Sequence, residues 1–401
     1  MSASTEKKNR TAAREAGTDK RSKALAEEEK KRAKTKKRII WASVFVVLFI
    51  AVIIILNSSL LFTSTTAVKM DDEAYTPADV QYLYASEYYT FYSNYGSYAP
   101  LFGLDTTYGL SGLGSQECGM LEDGGTWRDY FRNTAVEELR QITALNEYAE
   151  ANGIALDEEE TAEINDTMAE LDETATSYGY ANANKFLSGN YGKGVTKDVV
   201  KEYSEMSTLA SKAYDAYSEG LDITEDEIQE EYNNAEGGYD LFNYAYYYVA
   251  AEQETTVDEN GEETTDVTEE TLAAAKATAD AIAEAFESGD DKTTEGLTAA
   301  VNAVVEGDSA SDGADVLGSN LSTAYSEWLM DSSRKEGDVT VVETSTANAY
   351  YVVMFISRDS ENYDAAEDTL RSNATSEWLT EITDAVTVTN GFGYRFVGKA
   401  N

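Results

Sequence analysis

The 401-residue chain contains no histidine, one cysteine and two prolines. Without histidine there is no Ser-His-Asp triad, no Cys-His pair and no imidazole-ligated metal centre. Cys118, alone in the Gly-rich stretch GLGSQECGM, makes no internal disulfide and is no metal site by itself. No Pro-rich linker is possible. A Walker loop, a G-x-G-x-x-G fingerprint and a D-x-[DN]-x-[DN]-G calcium loop are also missing, so neither cofactor nor metal is expected. The carboxylate runs Glu158-Glu159-Glu160 and Asp290-Asp291 read as solvated acidic faces rather than a catalytic pair.

Basic residues are scarce and unevenly placed. The net charge is −43, yet residues 1–38 carry 14 Lys/Arg against 6 Asp/Glu. The remaining residues hold 17 basic and 68 acidic side chains. An acidic mass of that size repels phosphates, which excludes nucleic acid as a partner. Hydrophobic residues make up 42% of the chain, enough to build a core.

Uncharged over its whole length, Ile39–Phe62 reads IIWASVFVVLFIAVIIILNSSLLF. A helix of that length rises about 36 Å, so the expectation is a single transmembrane helix in contact with the lipid bilayer. The basic arm at 1–38 would then lie in the cytoplasm and the rest outside, giving a single-pass cell-membrane protein with extracellular domains. A retained anchor is favoured over a cleaved signal peptide because the basic region is long. No cysteine follows the apolar run to take a lipid.

Residues 63–236 read as a helical domain. Thr76-Pro77-Ala78-Asp79 is a helix start, and Val80, Tyr84, Tyr88, Phe91 and Tyr95 follow at helical spacing. Eight tyrosines fall between Tyr75 and Tyr98. Most are expected to face a core, and the sharper alternative is an aromatic surface that grips unfolded chains. A long helix is expected from Trp127 to Asn152, ended by Gly153, with further helices at 157–177, 182–189 and 196–218. Thr224 to Glu227 opens another.

After Gly237-Gly238 the texture changes. LFNYAYYYVAA (241–251) and AYYVVMFISR (349–358) read as strands, with helices expected at 268–288, 294–305 and 321–336 and a polar insert at 252–267. The fold class is therefore α+β, with a small α+β domain over 237–360 after the helical one. A helix at 363–385 and a β-prone end fill 361–401.

Three stretches resemble the chaperone domain of the SurA/PrsA family of extracytoplasmic foldases: TAVKMDDEAYTPADVQYLYA, TSYGYANANKFLSGNYGKGVTKDVVKEYSEM and DITEDEIQEEYNNAEGGYDLF. Residues 237–358 resemble a drifted parvulin-type prolyl isomerase domain. Tyr246-Tyr247-Tyr248-Val249 stands where the family has its first strand. Gly313 to Gly318 stands at its Gly-rich turn with one residue inserted, Gly337-Asp338-Val339-Thr340 at a second turn, and Ala349 to Val353 at its closing strand. The resemblance covers about residues 66–360. It implies a chaperone or foldase for unfolded, newly exported polypeptides, with the segment 361–401 packing back on the chaperone domain. Both family histidines are replaced, by Tyr246 and Tyr351, so weak or absent isomerase activity is expected. The parvulin-site positions are Tyr246, Tyr351 and Asp315, with no catalytic residue assigned. Candidate substrate-binding residues are Tyr84, Tyr88, Phe91, Tyr247, Trp328 and Met330. The other readings are an active peptidyl-prolyl isomerase and a structural cell-surface protein.

Overall fold

A computed structural model describes residues 3–15, 20–257, 263–344, 346 and 348–399. The chain forms two compact units, Met1–Asp215 with Leu379–Asn401, and Ala216–Trp378. The described strands are β1 (Val68–Met70), β2 (Glu73–Tyr75), β3 (Leu241–Ala250), β4 (Gln253–Val257), β5 (Glu263–Val267), β6 (Ser311–Leu317), β7 (Val339–Glu343), β8 (Ala349–Asp359) and β9 (Val388–Asn390).

The first unit is mainly helical. The helix Pro77–Tyr95 begins at a capping box in which the Thr76 backbone N–H donates to Asp79 at 2.7 Å. Trp127–Asn152 starts at the equivalent Thr126/Asp129 box and stops at Gly153, whose φ of +70° an L side chain rarely adopts. These two helices bury Val80, Leu83, Tyr84, Trp127, Phe131 and Leu139 against each other. Their rings interlock: Phe91 lies 5.3 Å from Trp127, and Tyr88 meets Phe131 edge-on at 5.7 Å. The helices Glu158–Ser177, Ala183–Asn190 and Lys197–Glu219 add a second cluster of Met168, Leu187, Val195 and Val200. Residues from the far end of the chain complete the unit. In a three-stranded antiparallel sheet β1 pairs with β2 and β9, and Val386 and Val397 are buried in the same core.

In the second unit a four-stranded antiparallel sheet has the order β6-β3-β8-β7. The helices Glu269–Ser288 and Thr294–Val304 cover one face, burying Ala279, Ile282, Phe286, Leu297 and Val301 against Ala245, Val352 and Met354. The other face carries Phe242, Tyr244, Val353 and Phe355, with Leu321, Tyr325 and Leu329 packed on it.

The expectation of a transmembrane helix over Ile39–Phe62 is overturned, and with it the single-pass membrane localisation and the bilayer contact. Among the described residues no helix is long and apolar enough to cross a membrane. The uncharged run is divided between two helices. Lys20–Asn57 ends before bends at Ser58 and Ser59, and Leu60–Ser64 is separate. Phe62 is half-buried in the first unit, its ring 5.7 Å from Phe396.

Three smaller differences have local causes. The insert at 252–267 contains the hairpin β4–β5, in which Thr255 pairs with Thr265 and Thr256 with Thr264, and threonine suits a pleated strand. Edge strands β6 and β7 were not foreseen. β6 reads SDGADVL, poor in strand formers, and is held by its partner β3 across a bulge. Of the helix expected at 321–336 only Ser326–Met330 forms, because Asp331 turns the chain by accepting from the Ser333 N–H at 2.9 Å.

Asp240 ties the entrance of the second unit to its sheet. Fully buried, it accepts from the Arg358 Nε–H and the Tyr232 hydroxyl. Arg358 also donates through Nη1 to the Met330 carbonyl at 2.8 Å and lies over the Phe242 ring at 5.3 Å. Replacing Arg358 by Met strands a buried carboxylate, so the variant is expected to lose about 3–5 kcal/mol of unfolding free energy in urea titrations. The double change Arg358→Met with Asp240→Leu should recover most of that loss.

Candidate functional site

Strand alternation sends Tyr244, Tyr246 and Tyr248 to one face of β3. The β3–β8 register sets Tyr248 opposite Tyr351. The rings of Tyr248 and Tyr351 are 5.1 Å apart, those of Tyr246 and Tyr351 6.0 Å. Tyr325, from the turn before the helix Ser326–Met330, closes the group at 5.4 Å from Tyr351 and 5.5 Å from Tyr244. Its hydroxyl donates to the Tyr244 hydroxyl at 3.3 Å. Gly313 of β6 makes room for this group, since a Cβ there would lie 2.5 Å from the Tyr244 ring.

Tyr244 and Tyr325 are buried, Tyr246 and Tyr351 half-buried, and Tyr248 exposed. Burial, then the neighbouring Tyr244 hydroxyl, pushes the Tyr325 phenol up. Burial, then the phenols of Tyr248, Tyr246 and Tyr244, does the same for Tyr351. Both stay neutral donors at physiological pH. Beside them lies an open cavity of about 320 Å³ lined by Tyr248, Tyr351, Ser322, Thr323, Thr344 and Asn348. Such a wall offers hydroxyls and one amide to a bound carbonyl, but no imidazole.

Of the parvulin-site positions, Tyr246 and Tyr351 are neighbours on this face. Asp315 is not with them. It sits on edge strand β6 at φ +50°, where its N–H donates to Asn243 Oδ1 at 3.0 Å and its carboxylate accepts from Asn243 Nδ2 at 3.2 Å. Tyr247 points to the helix-covered face and donates to Asp308 at 2.5 Å; burial, then Asp308, pushes its phenol up to about 12. Trp328 and Met330 are half-buried in the apolar layer with Phe242 and Phe355, and the Arg334 guanidinium stacks over Trp328 at 4.8 Å. Tyr244, Tyr248 and Tyr325 were not singled out from sequence. The alternation of Tyr244, Tyr246 and Tyr248 carried a signal for the first two, whereas Tyr325 had none.

In the helical unit Tyr84 and Tyr88 are core residues and Phe91 is half-buried. The exposed aromatics are their neighbours. Tyr92 is 51% exposed, Tyr95 50%, Tyr98 59%, Leu101 82% and Tyr108 65%. Phe91 links this surface to the core, with its ring 5.4 Å from Tyr95 and 6.3 Å from Phe102. Cys118 is buried, and burial pushes its thiol up, which makes it a poor nucleophile. Among the described residues no group of three or more His, Cys, Asp or Glu could hold a metal ion.

Two carboxylates meet between the long helices. Burial, then the hydrogen bond and charge of Glu138, pushes Glu87 up to about 7 from its ordinary 4.5. Glu138 also accepts from the Tyr203 hydroxyl at 2.8 Å. The folded chain therefore holds a proton that the unfolded chain releases between these values. This contribution is fully present below pH 4.5 and is lost as pH rises through 7. Discounted for partial exposure, the change is about 1 kcal/mol. Urea unfolding at pH 5 and pH 8 should show it, and Glu87→Gln should flatten the difference.

No protein-family profile and no curated protein matches the chain. Among solved structures the chain is similar to SurA-like and PrsA proteins, with low TM-scores. A SurA-like chaperone of Campylobacter jejuni is similar at 11% identity, covering 82% of this chain and 99% of that one, with a TM-score of 0.27. The foldase protein PrsA of Lactococcus lactis matches at 12% identity over 81% and 95%, TM-score 0.29. PrsA of Bacillus subtilis matches at 14% identity over 68% and 88%, TM-score 0.20. Residue roles rest on this chain's own geometry.

Proposed function

We propose that the protein is a chaperone of the foldase type that holds unfolded polypeptides on the aromatic surface of its helical unit. The observation that carries this reading is the exposed series Tyr92, Tyr95, Tyr98, Leu101, Phe102 and Tyr108, joined to the core through Phe91. A run of exposed aromatic and aliphatic side chains costs solubility unless something uses it. Rings carrying a hydroxyl suit transient capture, because they offer apolar area with few rotors to immobilise. The net charge of −43 keeps such a surface from self-association and favours basic clients.

The full chain is expected to suppress aggregation of a chemically denatured substrate at equimolar ratio. The triple change Tyr92→Ser, Tyr95→Ser and Leu101→Ser should abolish most of that effect while leaving the circular dichroism unchanged. Absence of suppression by the unmodified chain defeats the reading.

In this proposal the tyrosine face of the second unit is an isomerase site that has lost its catalytic histidines, with Tyr246 and Tyr351 packing in their place. A second reading, an active prolyl isomerase, is favoured by the position of Tyr351 on an open cavity with neutral hydroxyls. Catalysis there needs only stabilisation of the twisted amide against a barrier of about 18–20 kcal/mol. A protease-coupled assay on an Ala-Pro peptide is expected to show little acceleration. Clear acceleration that vanishes in Tyr246→Phe with Tyr351→Phe selects the active enzyme instead.

A further inference from the structure

Acidic residues are absent from three long stretches of the chain, 30–70, 174–197 and 385–401. The helical unit brings parts of all three together. Phe62, in the short helix Leu60–Ser64, has its ring 5.7 Å from Phe396, which in turn lies 5.6 Å from Phe392 in the turn Phe392–Phe396. Lys193 reaches the Phe62 ring at 5.7 Å. Its loop approaches that closely through Gly194, at φ +94°, where a Cβ would lie 2.8 Å from Phe62 Cβ. Backbone bonds staple the turn in place. The Gly391 N–H donates to the Ala67 carbonyl at 2.8 Å, and the Gly393 N–H donates to the Thr66 carbonyl at 2.7 Å.

Each ring carries a cation. The Arg395 guanidinium lies 4.3 Å from the centre of Phe392 and the Lys399 ammonium 6.0 Å from that of Phe396. Arg395 and Lys399 are both exposed. Among the described residues neither forms an ion pair with a carboxylate. In a chain with 74 acidic residues against 31 basic ones, this strip is a local reversal of sign. The rings hold the cations close to fixed positions, which lowers the entropy lost when a partner binds them.

We infer that this strip docks an acidic stretch of an extended polypeptide, whose carboxylates meet Arg395 and Lys399 with Lys193 beside them. A flat anionic layer is a poorer fit. Outside residues 1–38 the chain holds 17 basic and 68 acidic side chains, so a broad anionic surface is repelled all around the strip. A single extended chain feels charges only within a Debye length, about 8 Å at physiological salt, and samples the local sign instead. Phe62 and Phe396 are also half-buried and leave little bare apolar area for a lipid layer. The strip complements the aromatic surface proposed for client capture. No Lys or Arg occurs from Met70 to Trp127, so the two surfaces attract segments of opposite charge. The inference rests on the foldase reading in taking a polypeptide as the partner.

Calorimetric titration of the full chain tests it with an extended peptide of alternating Asp and Ser and with its Asn-for-Asp counterpart. The Asp peptide is expected to bind about fivefold more tightly at low salt, the margin of two or three exposed ion pairs, and that margin should shrink as salt is raised. Arg395→Ser with Lys399→Ser should erase it while leaving the melting temperature unchanged. The same double variant should still suppress aggregation of a client without acidic stretches, which separates the strip from the aromatic surface. Equal affinities for the two peptides in a chain that does suppress aggregation overturn this inference and leave the foldase reading standing. A clear Asp margin in a chain that suppresses nothing supports the strip and overturns that reading. Binding to phosphatidylglycerol vesicles through Arg395 and Lys399 with no Asp margin overturns the inference in favour of a lipid surface. If the double variant fails to fold, Lys399→Glu alone gives the same comparison, and an undiminished margin there overturns the inference.

Discussion

A carboxylate without solvent must be met by a cation, and in this chain that requirement organises the second unit. Asp240 lies just before β3, and Arg358 is the next-to-last residue of β8. Their ion pair joins positions far apart in sequence and coincides with the pairing of Phe242 with Arg358 at that end of the two strands. Beyond a one-residue shift between Asn243 and Tyr244, the register then runs to Tyr248 opposite Tyr351. A slip of β3 by one residue would turn its tyrosines into the helix-covered core and expose Ala245 and Val249. The same arginine holds the Met330 carbonyl, and so steadies the segment that brings Tyr325 over the sheet. The ring cluster is thus built by the alternation of β3, and the buried charge pair holds the segment that adds Tyr325 to it.

The two units use tyrosine in opposite ways. On the sheet the rings turn toward one another and mostly bury themselves. On the helix Pro77–Tyr95 the inward row, Tyr84 and Tyr88, belongs to the core, whereas Tyr92 and Tyr95 stand in solvent. A strongly acidic surface lets the second arrangement persist, since like charge keeps copies of the chain apart while the rings stay open.

Much of this was legible in the sequence. Aromatic and β-branched runs marked β3 and β8, capping boxes marked the starts of the helices at Pro77 and Glu225, and Gly153 marked a stop. The edge strands β6 and β7 were not legible, because an edge strand needs little intrinsic preference when a central strand templates it. The run Ile39–Phe62 misled for another reason: hydropathy counts apolar residues, but not the break at Ser58 and Ser59 or the packing of Phe62 on Phe396. On the candidate site, the alternation along β3 and the β3–β8 register put the rings of Tyr246 and Tyr351 6.0 Å apart. Asp315 is occupied with Asn243 across a bulge, a bond between residues 72 apart that no local pattern announces. Tyr325 reaches the site only through the tertiary path of its turn.

The pairing of β1 with β9 has a kinetic corollary. Val68 is matched with Asn390, so the middle strand of the first sheet lacks one neighbour until more than three hundred further residues have been made. A ribosome emits the chain at about 5–20 residues per second, which leaves that edge unpaired for tens of seconds. The second unit is complete in sequence once Trp378 has been made, before Asn390 follows. For the first sheet, therefore, a strand made early completes its pairing only after the strands of the second unit have been made.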